Sequence, residues 1–423
     1  MNRAERAWIL YDVGNSAFAT TIMAAVLPVY FSRVASEGLD PAMATSNWGY
    51  ANTLAMALTA FAAPVLGAFA DAGSGRKKLL GGFAFAGALF TAALFGAGPG
   101  DWVLAAALYV LARIAFASSV VLYDSLLPHV APPEDYDTVS SRGFAFGYLG
   151  GGILLALQVL VISYPGWLGI PDTTWATRIV FLTTGLWWAA FTVPILRQVH
   201  EHGPADPTVA TLGTFRRVAE AFRRLRRTFR ELRRYREAFK FLVAFWLYND
   251  GIGTIVVMAA AFGAEIGLDR TQLILAILLV QFLGFPFAIL FGRLAKRIGT
   301  RNAILVGLVG YTILCGFAWF VHTERDFFLM AIGVSMFQGG CQALSRSLFA
   351  SMIPLDRSSE FFGFYDVSSK FASIIGPALL ATVARFTGES RYGVIALILL
   401  FLGGIAVLTR VDLHKARAEA GHQ

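Results

Sequence analysis

The chain has 423 residues, of which 57% are hydrophobic and 15% charged, with a formal net charge of +8 and a mean hydropathy of +0.62. That composition excludes an ordinary soluble domain, whose surface needs more charge. The basic surplus comes with no nucleic-acid module, so it reads as membrane topology and attraction to anionic lipid.

A spanning helix needs about twenty apolar residues to cross a hydrocarbon core of about 30 Å. Runs of that length predict spans at 7–31, 48–70, 79–98, 102–124, 142–164 and 177–197, then at 240–263, 272–292, 302–322, 326–350, 362–385 and 392–410. The first run keeps Asp12 and Asn15 and lacks a small-residue cleavage site, so it is expected to remain as span 1. Gly81, Gly82 and Pro286 interrupt spans, which a bundle tolerates because neighbouring helices repair the backbone bonding. Gly150, Gly151 and Gly152 in span 5 favour close helix packing, since the strand and Lys-bearing turn of a phosphate loop are absent. The expectation is an all-α membrane protein of about twelve transmembrane helices: a six-helix bundle over 1–198, a basic amphipathic connector over 199–238, a second bundle over 239–411 and a tail over 412–423.

Lys and Arg gather in alternate connections, at Arg76, Lys77, Lys78, Arg293, Lys296, Arg297, Arg301, Arg410, Lys415 and Arg417, and most densely in the connector. The positive-inside rule then places both termini in the cytoplasm of a cell that carries the chain in its inner or plasma membrane. Within the connector, Val218, Phe222, Leu225, Phe229 and Leu232 recur at helical steps among arginines, which predicts an interfacial amphipathic linker, with a partner-docking site as the alternative. Cys315 and Cys341 fall inside apolar runs as small hydrophobes, His129 and His200 read as surface residues, and no metal or cofactor is expected.

Three short matches, in order, point to an internal duplication. Leu10, Tyr11, Asp12 and Gly14 face Leu247, Tyr248, Asn249 and Gly251; Gly67, Asp71, Gly75 and Arg76 face Gly292, Lys296, Gly299 and Arg301; Asp124, Ser125 and Leu126 face Arg346, Ser347 and Leu348. Parallel repeats of this kind commonly enclose a binding site at their interface near the bilayer midplane.

The stretch from Gly67 through Asp71 to Gly75, Arg76, Lys77 and Lys78 resembles the major facilitator signature between spans 2 and 3. It departs from it in having Ala72 where a basic residue usually stands, and one extra residue before Gly75. The opening Trp8, Ile9, Leu10, Tyr11, Asp12, Val13, Gly14, Asn15, Ser16 and Ala17, with Thr20, Thr21, Pro28, Val29, Tyr30 and Phe31, is similar to bacterial relatives of the yeast autophagy-related vacuolar amino-acid effluxer. The resemblance implies secondary transport by alternating access, a central cavity lined by spans 1, 4, 7 and 10, and amino acids as one substrate class.

Polar stripes on those spans supply the candidates, because an ionisable residue at membrane depth faces a cavity or a partner. Substrate-binding candidates are Asn15, Arg113, Tyr248, Asn249, Asp250, Gln338 and Gln342. Arg113 and Asp250 fall near mid-span and suit the carboxylate and ammonium of an amino acid, the alternative being that they neutralise one another. Asp12 and Asp250 are candidates for proton coupling, and Asp71, Arg76, Asp124 and Arg346 for a cytoplasmic gate. The expected partners are a small-molecule substrate, a coupling proton and the lipid bilayer, with a monomeric protein. Drugs, sugars or other metabolites remain alternative substrates, and a non-transporting sensor or scaffold the alternative function. An enzyme is disfavoured, since neither a metal cluster nor a nucleophile–base pair is present in the sequence.

Overall fold

The structure is a computed structural model and describes residues 1–71, 75–201, 223, 235–387 and 390–421. The expected amphipathic helix around Val218 to Leu232 lies outside the described residues, apart from Arg223. All regular structure among the described residues is helical. The first bundle comprises α1 (Arg3–Ala35), α2 (Pro41–Phe69), α3 (Arg76–Ala93), α4 (Trp102–Ser125), α5 (Tyr136–Ser163) and α6 (Thr173–Gln198). The second comprises α7 (Arg236–Glu265), α8 (Arg270–Ile298), α9 (Thr300–Phe317), α10 (Glu324–Ala350), α11 (Ser358–Thr387) and α12, which runs through Ser390–Ala396 and Ile398–Leu408. Leu413–Ala420 forms α13.

Among the described residues, nine helices are long and apolar enough to cross a membrane, or ten if the pair Tyr392–Leu408 and Leu413–Ala420, bent by 67°, is counted as one span. The 30-residue helices α7 and α11 take the places of the seventh and eleventh expected spans. Their ends follow local chemistry. Asp269 and Gln272 form a capping box at the start of α8, and Thr323 and Asp326 do the same for α10, satisfying backbone N–H groups that have no partner within the helix. Large apolar side chains point outward where lipid would lie: Phe61, Leu89, Ile313 and Leu399 are all more than half exposed.

The packing repeats every six helices. In the first bundle α1 packs on α5 and α6, α3 on α4 and α6, and α2 on α4. In the second, α7 packs on α11 and α12, α9 on α10 and α12, and α8 on α10. The contacts between bundles obey the same rule, since α2 meets α11 as α8 meets α5, and α4 meets α11 as α10 meets α5. Matched glycines make these crossings close. A Cβ at Gly67 would lie 2.1 Å from the Ser359 carbonyl oxygen on α11, and one at Gly292 would lie 2.8 Å from Ser141 on α5. Gly75 and Gly299, which precede α3 and α9, have φ of 76° and 86°, a region that penalises any side chain.

Two features depart from plain α-helical rods. Span 1 continues from its α-helical start, Arg3–Ala17, into π-helix at Phe18–Ala25 and again at Phe31–Ala35. The tail docks instead of trailing: Val411 and Ala416 are fully buried, and Glu237 at the start of α7 accepts the Asp412 N–H at 2.9 Å.

Candidate functional site

Glycines on α5 let α1 and α10 approach at one end of the bundle, and a buried charge cluster fills the junction. Arg346 of α10 places one guanidinium nitrogen 2.9 Å from Asp124 on α4 and another 3.6 Å from Asp12 on α1. It also donates to the Ser140 hydroxyl at 2.9 Å and the Ser140 carbonyl at 3.0 Å, both on α5. Tyr123 donates to Asp12 at 3.0 Å. The guanidinium carbon sits 4.6, 5.4 and 4.5 Å from the ring centres of Trp8, Tyr123 and Phe144. Gly143 makes room for this arrangement, since a Cβ there would lie 2.9 Å from an Asp12 oxygen and 3.1 Å from an Arg346 nitrogen.

A second cluster closes the same end at the α2–α11 crossing. Asp71 is 2% exposed and accepts from Arg76 at 2.7 and 2.9 Å. It also accepts the backbone N–H groups of Ser359 at 3.3 Å and Glu360 at 2.7 Å. Those N–H groups lie in the first turn of α11, where the helix itself supplies no acceptor, so the carboxylate of one bundle caps a helix of the other and meets the positive end of its dipole. Arg76 extends the link through the Ser359 hydroxyl at 2.8 Å and the Asp356 carbonyl at 3.3 Å. Thus all four gating candidates take part in contacts that tie the two bundles together, Asp71 and Arg76 in one cluster and Asp124 and Arg346 in the other.

Other members of this closure carried no signal in the sequence. Asp137 accepts from the Ser347 hydroxyl at 2.5 Å and the Thr300 hydroxyl at 2.6 Å, and Ser140 also donates to the Ala343 carbonyl at 2.7 Å. Serines of this kind carry no signal in a sequence; Ser140 lies near the start of α5 and Ser347 in the last turn of α10. His129 corrects an expectation: it is half-buried, with Nε2 2.9 Å from an Arg76 nitrogen, where the sequence reading placed a surface residue.

Farther from this end the polar groups are held differently. A helix rises about 1.5 Å per residue. Asn15 therefore stands one turn above Asp12, while Gln342 and Gln338 stand one and two turns above Arg346 on the antiparallel α10. The buried Nδ2 of Asn15 and Oε1 of Gln338 have no hydrogen-bond partner among the described residues, and Gln342 is half-buried. Tyr248 shares a hydrogen bond of 2.6 Å with Ser345, and Asn249 donates to Ser369 at 3.3 Å. Thr20 on α1 and Gln281 on α8 are hydrogen-bonded across the interface, a contact the sequence did not suggest for Gln281.

Arg113 and Asp250 do not neutralise one another. Arg113 donates to Asn52 at 3.1 Å and to Tyr109, both in the first bundle. Asp250, 1% exposed, accepts the Gly376 N–H at 2.8 Å where α7 packs on α11. The physical reason is the bundle pairing itself, which turns that face of α7 toward its own bundle. Among the described residues no group of three His, Cys, Asp or Glu side chains has metal-binding geometry, and Cys315 and Cys341 are free and buried.

Comparison with known proteins agrees with this architecture. A family described as "Vacuole effluxer Atg22 like" matches residues 41–136 and 133–421. The opening thirty residues that carry much of the sequence resemblance lie before that match. An MFS-type transporter of Bacillus subtilis, YxiO, is 37% identical over 97% of this chain and 95% of its own length. Autophagy-related protein 22 of Yarrowia lipolytica is 25% identical over 83% of this chain and 73% of its own. Among solved structures, the proton:xylose symporter XylE aligns with TM-score 0.72 at 13% identity, over 99% of this chain and 98% of that one. FucP in the outward conformation aligns with TM-score 0.69 at 12% identity, over 97% and 98%. With two six-helix bundles, a polar interface between them and relatives of this kind, the chain is a membrane transporter rather than an enzyme, and it belongs to the Atg22-like family of the major facilitator superfamily.

Proposed function

We propose that this protein moves a small polar solute, with amino acids as the first class to test, across a cell membrane by alternating access, its termini and basic connector on the cytoplasmic side. The observation that carries the reading is the Arg346 latch. Arg346 belongs to the second bundle and both its carboxylate partners to the first, so the bonds hold only while the bundles touch at the terminal end. Parting there breaks them, and the described arrangement is then the state closed to the cytoplasm. Asp71 on the α11 N-terminus is the second half of that gate.

Above the latch, Asn15, Gln338 and Gln342 form the substrate layer in this reading, with Tyr248 and Asn249 beside it. The Asn15 and Gln338 atoms that lack partners among the described residues support that assignment, because buried polar atoms normally find partners and a ligand would provide them. Arg113, bonded among the described residues to the neutral Asn52 and Tyr109, offers a guanidinium suited to a substrate carboxylate. Asp12 takes the coupling proton, since it loses its guanidinium whenever the latch opens; Asp250 is the second carboxylate assigned to coupling. A structural neighbour is a proton:xylose symporter, which leaves sugars as the competing class.

Flux in proteoliposomes tests the reading. Uptake or counterflow of one member of an amino-acid panel, stimulated by an imposed pH gradient and reduced at least tenfold in Asn15→Ala, is the expected result. Sugar flux with no amino-acid flux replaces the substrate class. Specific binding without flux of anything replaces transport by sensing.

A further inference from the structure

The environment of Arg346 is more than an ion pair, and nearly all of it belongs to the opposite bundle. Trp8 and Asp12 come from α1, Tyr123 and Asp124 from α4, and Phe144 from α5, whereas the guanidinium they surround arrives from α10. Three aromatic rings stand within 5.4 Å of its central carbon; Asp124 accepts a hydrogen bond from one edge and Asp12 forms an ion pair at 3.6 Å with the other. The box is braced without Arg346. Trp8 stacks on Tyr123 with ring centres 4.3 Å apart, its indole N–H donates to the Tyr123 carbonyl at 3.0 Å, and the Tyr123 hydroxyl holds Asp12. Trp8, Tyr123, Asp12 and Asp124 are all buried in this closed arrangement.

We infer that the first bundle carries a built guanidinium site, filled by Arg346 while the cytoplasmic end is closed and open to a guanidinium-bearing cation of the cytoplasm when that end opens. The inference rests on the alternating-access reading for the emptying of the box, though not for its chemistry. A planar, weakly hydrated guanidinium both stacks on aromatic faces and forks onto carboxylates, and this box offers each contact at once. Ammonium or an alkali cation satisfies the carboxylates and leaves the rings without a planar partner. Departure of Arg346 removes the only cation within bonding distance of two adjacent carboxylates among the described residues, so a proton and an organic cation become alternative counter-ions. A bound cation blocks the return of Arg346 and holds the protein open to the cytoplasm.

Chemical rescue tests the site without reference to transport. In purified Arg346→Ala reconstituted in nanodiscs, millimolar methylguanidinium is expected to raise the thermal midpoint by about 2–4 °C, relative to equal potassium or tetramethylammonium. The rise should vanish when Trp8→Leu is added and be absent from the wild type. No rise in folded Arg346→Ala, or an equal rise with potassium, overturns the guanidinium site. Should that variant not survive purification, Ser141→Cys reports instead, since Ser141 is buried against Gly292 of the other bundle. Methylguanidinium added from the cytoplasmic side is expected to increase its labelling several-fold over a Ser141-intact control, and unchanged labelling overturns the proposal. Rescue of Arg346→Ala combined with a Ser141→Cys site that never becomes labelled, even in Asp124→Asn, keeps the box and rejects alternating access.

Discussion

At the latch, carboxylates, guanidinium, a serine hydroxyl and a backbone carbonyl are joined in one buried network, whereas one or two turns above it the side chains of Asn15 and Gln338 hold buried polar atoms without partners among the described residues. Both layers lie on the same pair of helices, α1 and α10. The contrast separates two uses of buried polarity. A satisfied charge cluster is costly to break, because removing one member strands the others in a low dielectric. An unsatisfied amide already bears its desolvation cost, so its removal does little to the empty protein and much to whatever would complete it.

The largest effect that tests this contrast is expected from Arg346→Ala, which leaves Asp12 and Asp124 buried without their cation. A loss of about 3–5 kcal/mol in a reversible unfolding assay is predicted. The double variant with Asp124→Asn should lose less than the sum of the two single changes. Additive losses would mean that the latch is a set of separate contacts. Next is Gly143→Ala, whose new Cβ lies within 3.1 Å of Trp8, Asp12 and Arg346; overpacking predicts a loss of about 1–3 kcal/mol and increased cysteine accessibility at the latch end of the bundles. Wild-type accessibility would show that the cluster tolerates displacement.

Asp71→Asn keeps the shape and removes the charge facing the α11 N-terminus. The expected cost is about 1–2 kcal/mol, read as a shift toward opening of that end in the same labelling assay. The smallest effect on stability is expected from Asn15→Ala and Gln338→Ala, at or below about 0.5 kcal/mol, although flux should fall at least tenfold. If these two destabilise as strongly as the latch variants, the distinction between the layers is lost.

Much of the architecture was legible because it is written in quantities the sequence carries directly. Apolar length marked the spans, and the short matches at Leu10, Gly67 and Asp124 marked a duplication that the packing repeats helix for helix. Asp124 and Arg346 stood out in the sequence as complementary charges at matched positions and as gating candidates; that they bond to each other across the bundles is seen only in the structure. His129, Asp137, Ser140 and Gln281 gave no such cue. Their partners are distant in sequence, and a serine or histidine near a helix end is usually solvated.

The sequence by itself determined that the chain spans a membrane, that two six-helix units share one plan, and that polar residues collect on spans 1, 4, 7 and 10. Hydrophobic length and helical periodicity are local properties, so they survive without coordinates. Only the tertiary structure decided which charges meet: Arg346 with Asp124 and Asp12, Arg113 with Asn52 and Tyr109, Asp250 with the backbone of Gly376. Those choices depend on the rotation of each helix about its axis and on where glycine lets two backbones close, and both are set by packing across the whole bundle.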